Sequence, residues 1–452
     1  MNSNLHQAGC LLFLCCTWSA VAGAQATQLT LRQSIDRALG QNPEIAAAHA
    51  DEKAASASSQ LARTNLLPQL SFLEDISRGD DPVYAFGTRL RQRQFTQADF
   101  ALNALNRPQP IGNFATRFSG SWMAFDSFKT QKEIRSAGFL QKSSASSAKA
   151  VDQKIVLDVV QAYESVLYAQ REVDVARHEQ ETAAALLSSA EEHVKAGLTV
   201  ESDRMSAAVN RAARMEELIA AQGDLELAWA QLRLAIGDTE LQSTALRPIE
   251  AHNFPQQALE EQLATAAKTR ADLRALRDAQ SAQSSAVGAA KSRYGPRVSA
   301  YGDWEEDRGS FTSSGGNNWV AGVQIGIDIL PLGKRAELAR ETAAKQRIDA
   351  RLESYQQHVR FEVSQAHIHL QTAALSLETA RAAMEQSAES LRILRNRYNA
   401  GLATITDLLR GEDAERESQS NYWHSVYSNV SAYAQLLFAT GTLTPDAAEE
   451  LQ

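Results

Sequence analysis

The chain repeats itself. Asn42-Pro-Glu-Ile45 aligns with Arg270-Ala-Asp-Leu273, and Pro68 with Pro296, at an offset of 228 residues. Further on, Val194-Lys-Ala-Gly-Leu198 aligns with Tyr398-Asn-Ala-Gly-Leu402, Asp203 with Asp407, and Ala230-Gln-Leu232 with Ala434-Gln-Leu436, now at an offset of 204. The first copy therefore carries 24 extra residues, the difference between 228 and 204, and the Pro-, Gly- and Arg-containing stretch Gly79 to Asn113 is the place for them. A chain of 452 residues would otherwise suggest two or three unrelated domains; the repeat reduces it to one unit used twice.

Within each copy the apolar period switches from helix to strand and back. Leu29 to Asn65 is Ala- and Gln-rich and reads as helix ending before Pro68. In the second copy Trp319, Ala321, Val323, Ile325, Ile327 and Ile329 alternate with Val320, Gly322, Gln324, Gly326 and Asp328, a period of two long enough to cross a bilayer. Phe114, Thr116, Phe118, Gly120 and Trp122 do the same in the first, with weaker partners near Gln69 to Ser77 and Arg297 to Trp304. One greasy face, one wet face and aromatics near the ends are what a transmembrane barrel strand needs. Helical sequence follows from about Ser127 to Lys195 and from about Lys334 to Asn399; at ~1.5 Å per residue each helix would be a rod of about 100 Å. Val156, Val160, Tyr163 and Leu167, like Leu225, Trp229, Leu232 and Ile236, follow coiled-coil spacing, so the rods pair. They turn at Ala196-Gly197-Leu198 and Ala400-Gly401-Leu402, where glycine supplies the left-handed conformation that ends a helix. The boundaries expected are a first repeat over 27–237 with strands near 69–78 and 114–125, a linker over 238–255, a second repeat over 256–441 with strands near 297–304 and 319–329, and a tail over 442–452.

Residues 1–24 read as a secretory signal peptide, with a second cleavage frame after residue 26. Cys10, Cys15 and Cys16 all lie inside it, none in a lipoprotein context, so the mature chain has no disulfide or thiolate chemistry to draw on. After the signal no apolar run is long enough for a spanning helix, so any membrane crossing is made by strands. The net charge of −9 carries no basic tail and argues against a nucleic-acid partner. Four strands per chain cannot close a barrel, and an open edge has no partner in hydrocarbon. The chain must therefore oligomerise, and on strand counting a dimer and a trimer would both close.

Leu29-Thr-Leu-Arg-Gln-Ser-Ile-Asp-Arg-Ala-Leu39 with Asn42-Pro43, and two Ala-Gly-Leu turns each followed by an aspartate, resemble the TolC-like outer-membrane efflux family over Leu29 to Gly441. The resemblance implies a mainly α-helical fold with a transmembrane β-barrel portion: a homotrimer whose twelve strands span the outer membrane, continued by a long helical tunnel in the periplasm. It implies passive conduction of small molecules, no enzyme activity and no cofactor or metal. Gly197, Leu198, Gly401 and Leu402 would form the turns that dock a periplasmic adaptor protein and, through it, an inner-membrane transporter, with outer-membrane lipid around the barrel. It also implies a closed tip held by tyrosine, aspartate and arginine, with aspartates ringing the narrowest point. Tyr398, Asp203 and Asp407 match, but Ala403 stands where the arginine would fall and Arg410 lies about one turn beyond Asp407 in place of a second acidic ring.

Each candidate has a plainer reading. Asp407 three residues after Thr404 completes a capping box, and Asp203 sits where a carboxylate meets a helix dipole. His367 and His369, two apart on a helix, do not share a face and make a poor metal site. Trp122, Trp304 and Trp319 read as an interfacial girdle rather than a sugar platform. Arg89, Arg91 and Arg93 are expected in a long loop, either binding lipopolysaccharide phosphates or solvated, and Glu305-Glu306 in another loop with nothing to desolvate them. A type I protein-secretion duct and a non-pore periplasmic coiled coil remain the alternative functions. The second has no use for the Trp319 to Ile329 alternation.

Overall fold

A computed structural model describes residues 28–452 apart from 198, 251 and 331; the expected signal peptide and Leu198 lie outside the described residues. The first copy comprises α1 (Leu31–Gln41), α2 (Pro43–Thr64), β1 (Gln69–Gly79), β2 (Ile111–Phe125), α5 (Lys129–Lys195) and α6 (Glu201–Ile236), with α3 (Pro82–Arg91) and α4 (Leu102–Asn106) inside the β1–β2 connection. The second comprises α7 (Leu259–Thr269), α8 (Ala271–Ser292), β3 (Arg297–Arg308), β4 (Gly316–Gly326), α9 (Leu332–Asn399) and α10 (Ile405–Thr440), followed by α11 (Pro445–Glu449). The opening helix is broken once. Asn42 ends α1 and caps α2, its side-chain oxygen accepting from the Glu44 N–H at 2.8 Å, and Pro43 takes the first helical position, where its missing N–H costs nothing.

At 67 and 68 residues α5 and α9 are each about 100 Å long. α6 folds back along α5, α10 along α9, and α5 meets α10, so the long helices form a layer in the order α6–α5–α10–α9. α8 packs on both α5 and α9, and α2 on α5. Two cores sit midway along this layer. One gathers Leu31, Ile35, Ile155, Val159, Ala162, Val166, Ala228 and Leu232; the other Val359, Val363, Ala366, Leu370, Ala432 and Leu436. From Ile155 onward these are the same positions 204 residues apart, so the duplication is structural as well as textual. The copies also end alike. Gly237 and Gly441 close α6 and α10 at φ 79° and 71°, and a Cβ on either would meet the Cα of Asn42 or of Arg270 at 2.8 Å. Only glycine fits both the left-handed turn and the approach of the same copy's capping residue near its start.

Two details differ from the sequence-based expectation. β4 stops at Gly326, because its register partner Arg297 begins β3; Ile327 and Ile329 continue the alternation but have no strand to pair with. The last residues are no loose tail: Leu443, Ala448 and Leu451 are buried in the first core, where α11 packs against α1.

Candidate functional site: the strand sheet and the helical tip

The four strands form one antiparallel sheet in the order β1-β2-β3-β4. Side chains alternate between its faces, and one face carries Leu70, Phe72 and Ile76 of β1, Phe118 and Trp122 of β2, Trp304 of β3, and Trp319, Val323 and Ile325 of β4, all exposed. Phe72 lies 5.1 Å from Phe118, Phe118 lies 5.8 Å from Trp304, and Trp304 pairs with Trp319, giving an aromatic row across the sheet. A second aromatic level lies toward the helices, where the Trp122 indole donates to the Leu66 carbonyl at 3.0 Å. From Trp319 to Ile325 the apolar band spans about 20 Å at the rise of a strand, close to the height an outer-membrane barrel presents to lipid. The opposite face carries Ser71, Asp75, Asn113, Arg117, Ser119, Asp303, Glu305 and Asp307. It suits water, with Arg117 paired to Glu305 at 2.7 Å.

The 24 additional residues of the first copy fold onto this polar face. Gln92 donates to Gly112 O at 2.8 Å and to Asn113 Oδ1 at 2.9 Å, and Asn113 donates to Asp307 at 2.6 Å. Phe95 stacks edge-on with Phe86 and Phe100, so the connection has its own apolar centre. The three arginines are engaged within the chain: Arg89 with Asp99 at 2.7 Å, Arg91 with Glu305 at 3.4 Å, and Arg93 with the Asn317 carbonyl at 2.7 Å. Arg91 and Arg93 tie the connection to the sheet, and Arg89 braces it internally. Glu305 and Glu306 likewise belong to β3 rather than a loop, since Arg117 and Arg91 give Glu305 the charge partners that strand burial demands.

At the far end of the long helices, Gly197 and Gly401 both adopt φ 71°. The second turn is closed by the Leu402 N–H on Arg397 O at 2.8 Å and the Gly401 N–H on Tyr398 O at 2.9 Å, leaving the Leu402 side chain exposed. Thr404 then caps α10. Its N–H and hydroxyl donate to the Asp407 carboxylate at 3.1 and 2.7 Å, while the Asp407 N–H donates back to the hydroxyl at 3.2 Å. The Thr404 side chain and then its backbone hold the Asp407 carboxyl below the usual range, with Arg410 adding a smaller pull. Asp407 and Arg410 both stand exposed, so Asp407 forms the cap and presents its charge to solvent as well.

Tyr398 packs in an apolar cluster drawn from all four long helices, with Leu186, Ala190, Ala207, Leu391, Ile405 and Leu408. Its hydroxyl is buried without a hydrogen-bond partner, and burial, then the charge of Asp203 from the other hairpin, pushes it above the ordinary tyrosine range. The charge of Asp203 thus reaches Tyr398 across the hairpins without a hydrogen bond, while Ala403 leaves the arginine position empty of charge.

Nothing in the sequence pattern points to a second charged group, higher on the same helices. Glu179 of α5, Arg214 of α6 and Glu412 and Glu415 of α10 are all buried. Arg214 donates to Glu217 at 2.7 Å and crosses to Asp413 of α10 at 2.5 Å. Burial, then Glu412 and Glu415, push the Glu179 carboxyl up to about 7 against the opposing pull of Arg214 and Arg416. These residues lie up to 236 positions apart (Glu179 to Glu415), so only helix registry assembles them. Of the histidine pair, His367 has both ring nitrogens engaged, by Gln262 and Gln371 at 3.0 Å each, whereas His369 is exposed.

Comparison with known proteins agrees with this geometry. A family profile described as outer membrane efflux protein matches residues 34–238 and 263–442. The chain is 25% identical over 399 residues to outer membrane protein OprJ of Pseudomonas aeruginosa, covering 86% of this chain and 79% of that one. Its fold is similar to that of the Campylobacter jejuni CmeC outer membrane channel, with a TM-score of 0.79, 17% identity and 91% and 85% of the two chains covered. It is similar also to the open state of the Neisseria gonorrhoeae MtrE outer membrane channel, with a TM-score of 0.74, 18% identity and 92% and 91% covered. With its lipid-facing strands and paired helical rods, this chain belongs to the outer membrane efflux protein family.

Proposed function

We propose that three copies of this chain assemble into one closed duct: a twelve-strand barrel in the outer membrane continued by a periplasmic tunnel of helices, conducting small molecules passively and catalysing nothing. The observation that carries this reading is that sheet and helical layer each end in two unpartnered edges. β1 and β4 each lack a neighbour on one side. On the helical edges α6 exposes Val209, Ile219, Leu227 and Leu234, and α9 exposes Phe361, Ile368 and Leu375 at seven-residue spacing. A three-fold rotation that brings β4 of one copy against β1 of the next also sets α9 against α6, pairing both backbone and apolar edges at once. Strand counting alone admits a dimer; the family's trimeric channels favour three.

Within that duct, Asp203, Tyr398, Asp407 and Arg410 line or hold the periplasmic constriction, and the turns at Gly197, Leu198, Gly401 and Leu402 receive a periplasmic adaptor coupled to an inner-membrane transporter. Support for docking comes from the exposed Leu402 at the second turn. The test is the mass of the detergent-extracted protein by light scattering, corrected for bound detergent, followed by planar-bilayer recording. A conducting trimer is expected. A stable monomer, or a protein soluble without detergent, would sink the duct and favour a periplasmic spacer.

A further inference from the structure

The tip has a tyrosine under the influence of an aspartate's charge but no arginine at the matching position, and on the same long helices Arg214 is a buried cation. Its side chain is 9% exposed and spans from α6 of the first hairpin to Asp413 on α10 of the second. Among the described residues, the ion pairs that join the two hairpins are this one and the longer Arg416–Glu217 contact at 4.0 Å. The other charged groups of the cluster act within a hairpin or oppose closure: Arg395 of α9 reaches Glu412 of the same hairpin at 3.5 Å, and Glu179, Glu412 and Glu415 are three buried carboxylates. Bringing the hairpins together therefore packs more negative than positive charge into the seam, and Arg214 is the buried cation that offsets it, with the less buried Arg416 beside it.

We infer that Arg214, bridging Asp413 and Glu217, is the latch that holds the two hairpins of a subunit together in the closed duct, in the role that Ala403 cannot fill. The inference rests on the reading of the tip as a gate. Arg214 is the buried partner, with Asp413 and Glu217 about half exposed, so losing the guanidinium leaves the buried carboxylates Glu179, Glu412 and Glu415 without its offsetting charge. The packed seam is then disfavoured against the separated one, in which water reaches the carboxylates. Arg214 is a positioning residue, since it acts on the constriction through the ion pair that ties α6 to α10 across α5. Beside the seam, Gly411 seats α10 against α9, where an added Cβ would meet the Leu394 Cδ1 at 2.6 Å.

The test is single-channel conductance of purified trimers in planar bilayers, comparing wild type with R214A, D413N and the exchange Arg214→Asp with Asp413→Arg. R214A and D413N are expected to raise conductance several-fold, and the exchange to return it toward wild type, which a merely structural role for Arg214 would not predict. D413N carries the decision if R214A does not assemble, because Asp413 is half-exposed and its amide replacement is nearly isosteric. Tip variants Asp203→Ala and Tyr398→Ala separate the two levels of inference. If they open the channel while the Arg214 and Asp413 variants do not, the latch is wrong and the gate stands. If no variant and no wild-type preparation conducts, the duct itself is refuted.

Discussion

Replacing Glu179 by glutamine tests the charged seam by an independent route. Glu179 faces Glu412, Glu415 and Arg416 from α10 and Arg214 from α6, and its carboxyl is pushed up to about 7 from an ordinary 4.5. Because the folded value lies above the unfolded one, the neutral acid is what the packed seam prefers. Its favourable contribution is complete below about 4.5 and is lost as pH rises through about 7. Linkage across that interval amounts to about 3 kcal/mol at pH 8, but only about 1 kcal/mol at pH 5.5. E179Q, locked neutral, should therefore raise the urea midpoint of the detergent-solubilised trimer clearly at pH 8 and slightly at pH 5.5, and should flatten this part of the pH dependence. Wild-type conductance should climb over the same range while that of E179Q stays low. An E179Q midpoint equal to wild type at pH 8, or lower, would refute the reasoning, because it would mean that the seam accommodates the ionised carboxylate.

Three further outcomes follow from the packing and the caps. Tyr163 is fully buried in the first core with its hydroxyl 2.8 Å from both Leu29 O and Arg247 O, so Y163F should lower stability by about 1–3 kcal/mol in a urea titration, without changing conductance. G441A places a Cβ 2.8 Å from the Arg270 Cα at a positive φ, and should cost at least about 1 kcal/mol and reduce the yield of assembled trimer. D407N keeps an oxygen that can accept from Thr404 but removes the exposed charge: reversal potentials should shift toward weaker cation preference with little loss of stability, whereas D407A should also lose about 1 kcal/mol of capping. Unchanged selectivity in D407N would leave Asp407 as a cap alone.

The legible part of this protein is the part set by short-range periodicity. Alternation over Trp319 to Ile325 fixes a strand and its two faces because side chains on a strand point in turn to opposite sides. The spacing of Val156, Val160 and Tyr163 fixes a buried helical seam, and Thr404 with Asp407 fixes a cap, since each depends on residues a turn or less apart. The repeat carried the rest, predicting two rods and two turns from one pattern. What stayed illegible depends on registry between distant segments. Arg89, Arg91 and Arg93 read as loop cations until the connection is seen folded onto Glu305 and Asn317. Gly237 and Gly441 look like ordinary helix ends until Asn42 and Arg270 are found against them. The meeting of buried Glu179, Arg214 and Glu412 with Asp413 has no local signature, because a charged residue on a helix is normally a solvated face and becomes a latch only when two other helices arrive at the same height. Sequence alone thus determined the elements and their faces, through geometry repeated every two to four residues; tertiary structure decided which charges are desolvated together, because desolvation depends on every neighbour in space and on none in particular along the chain.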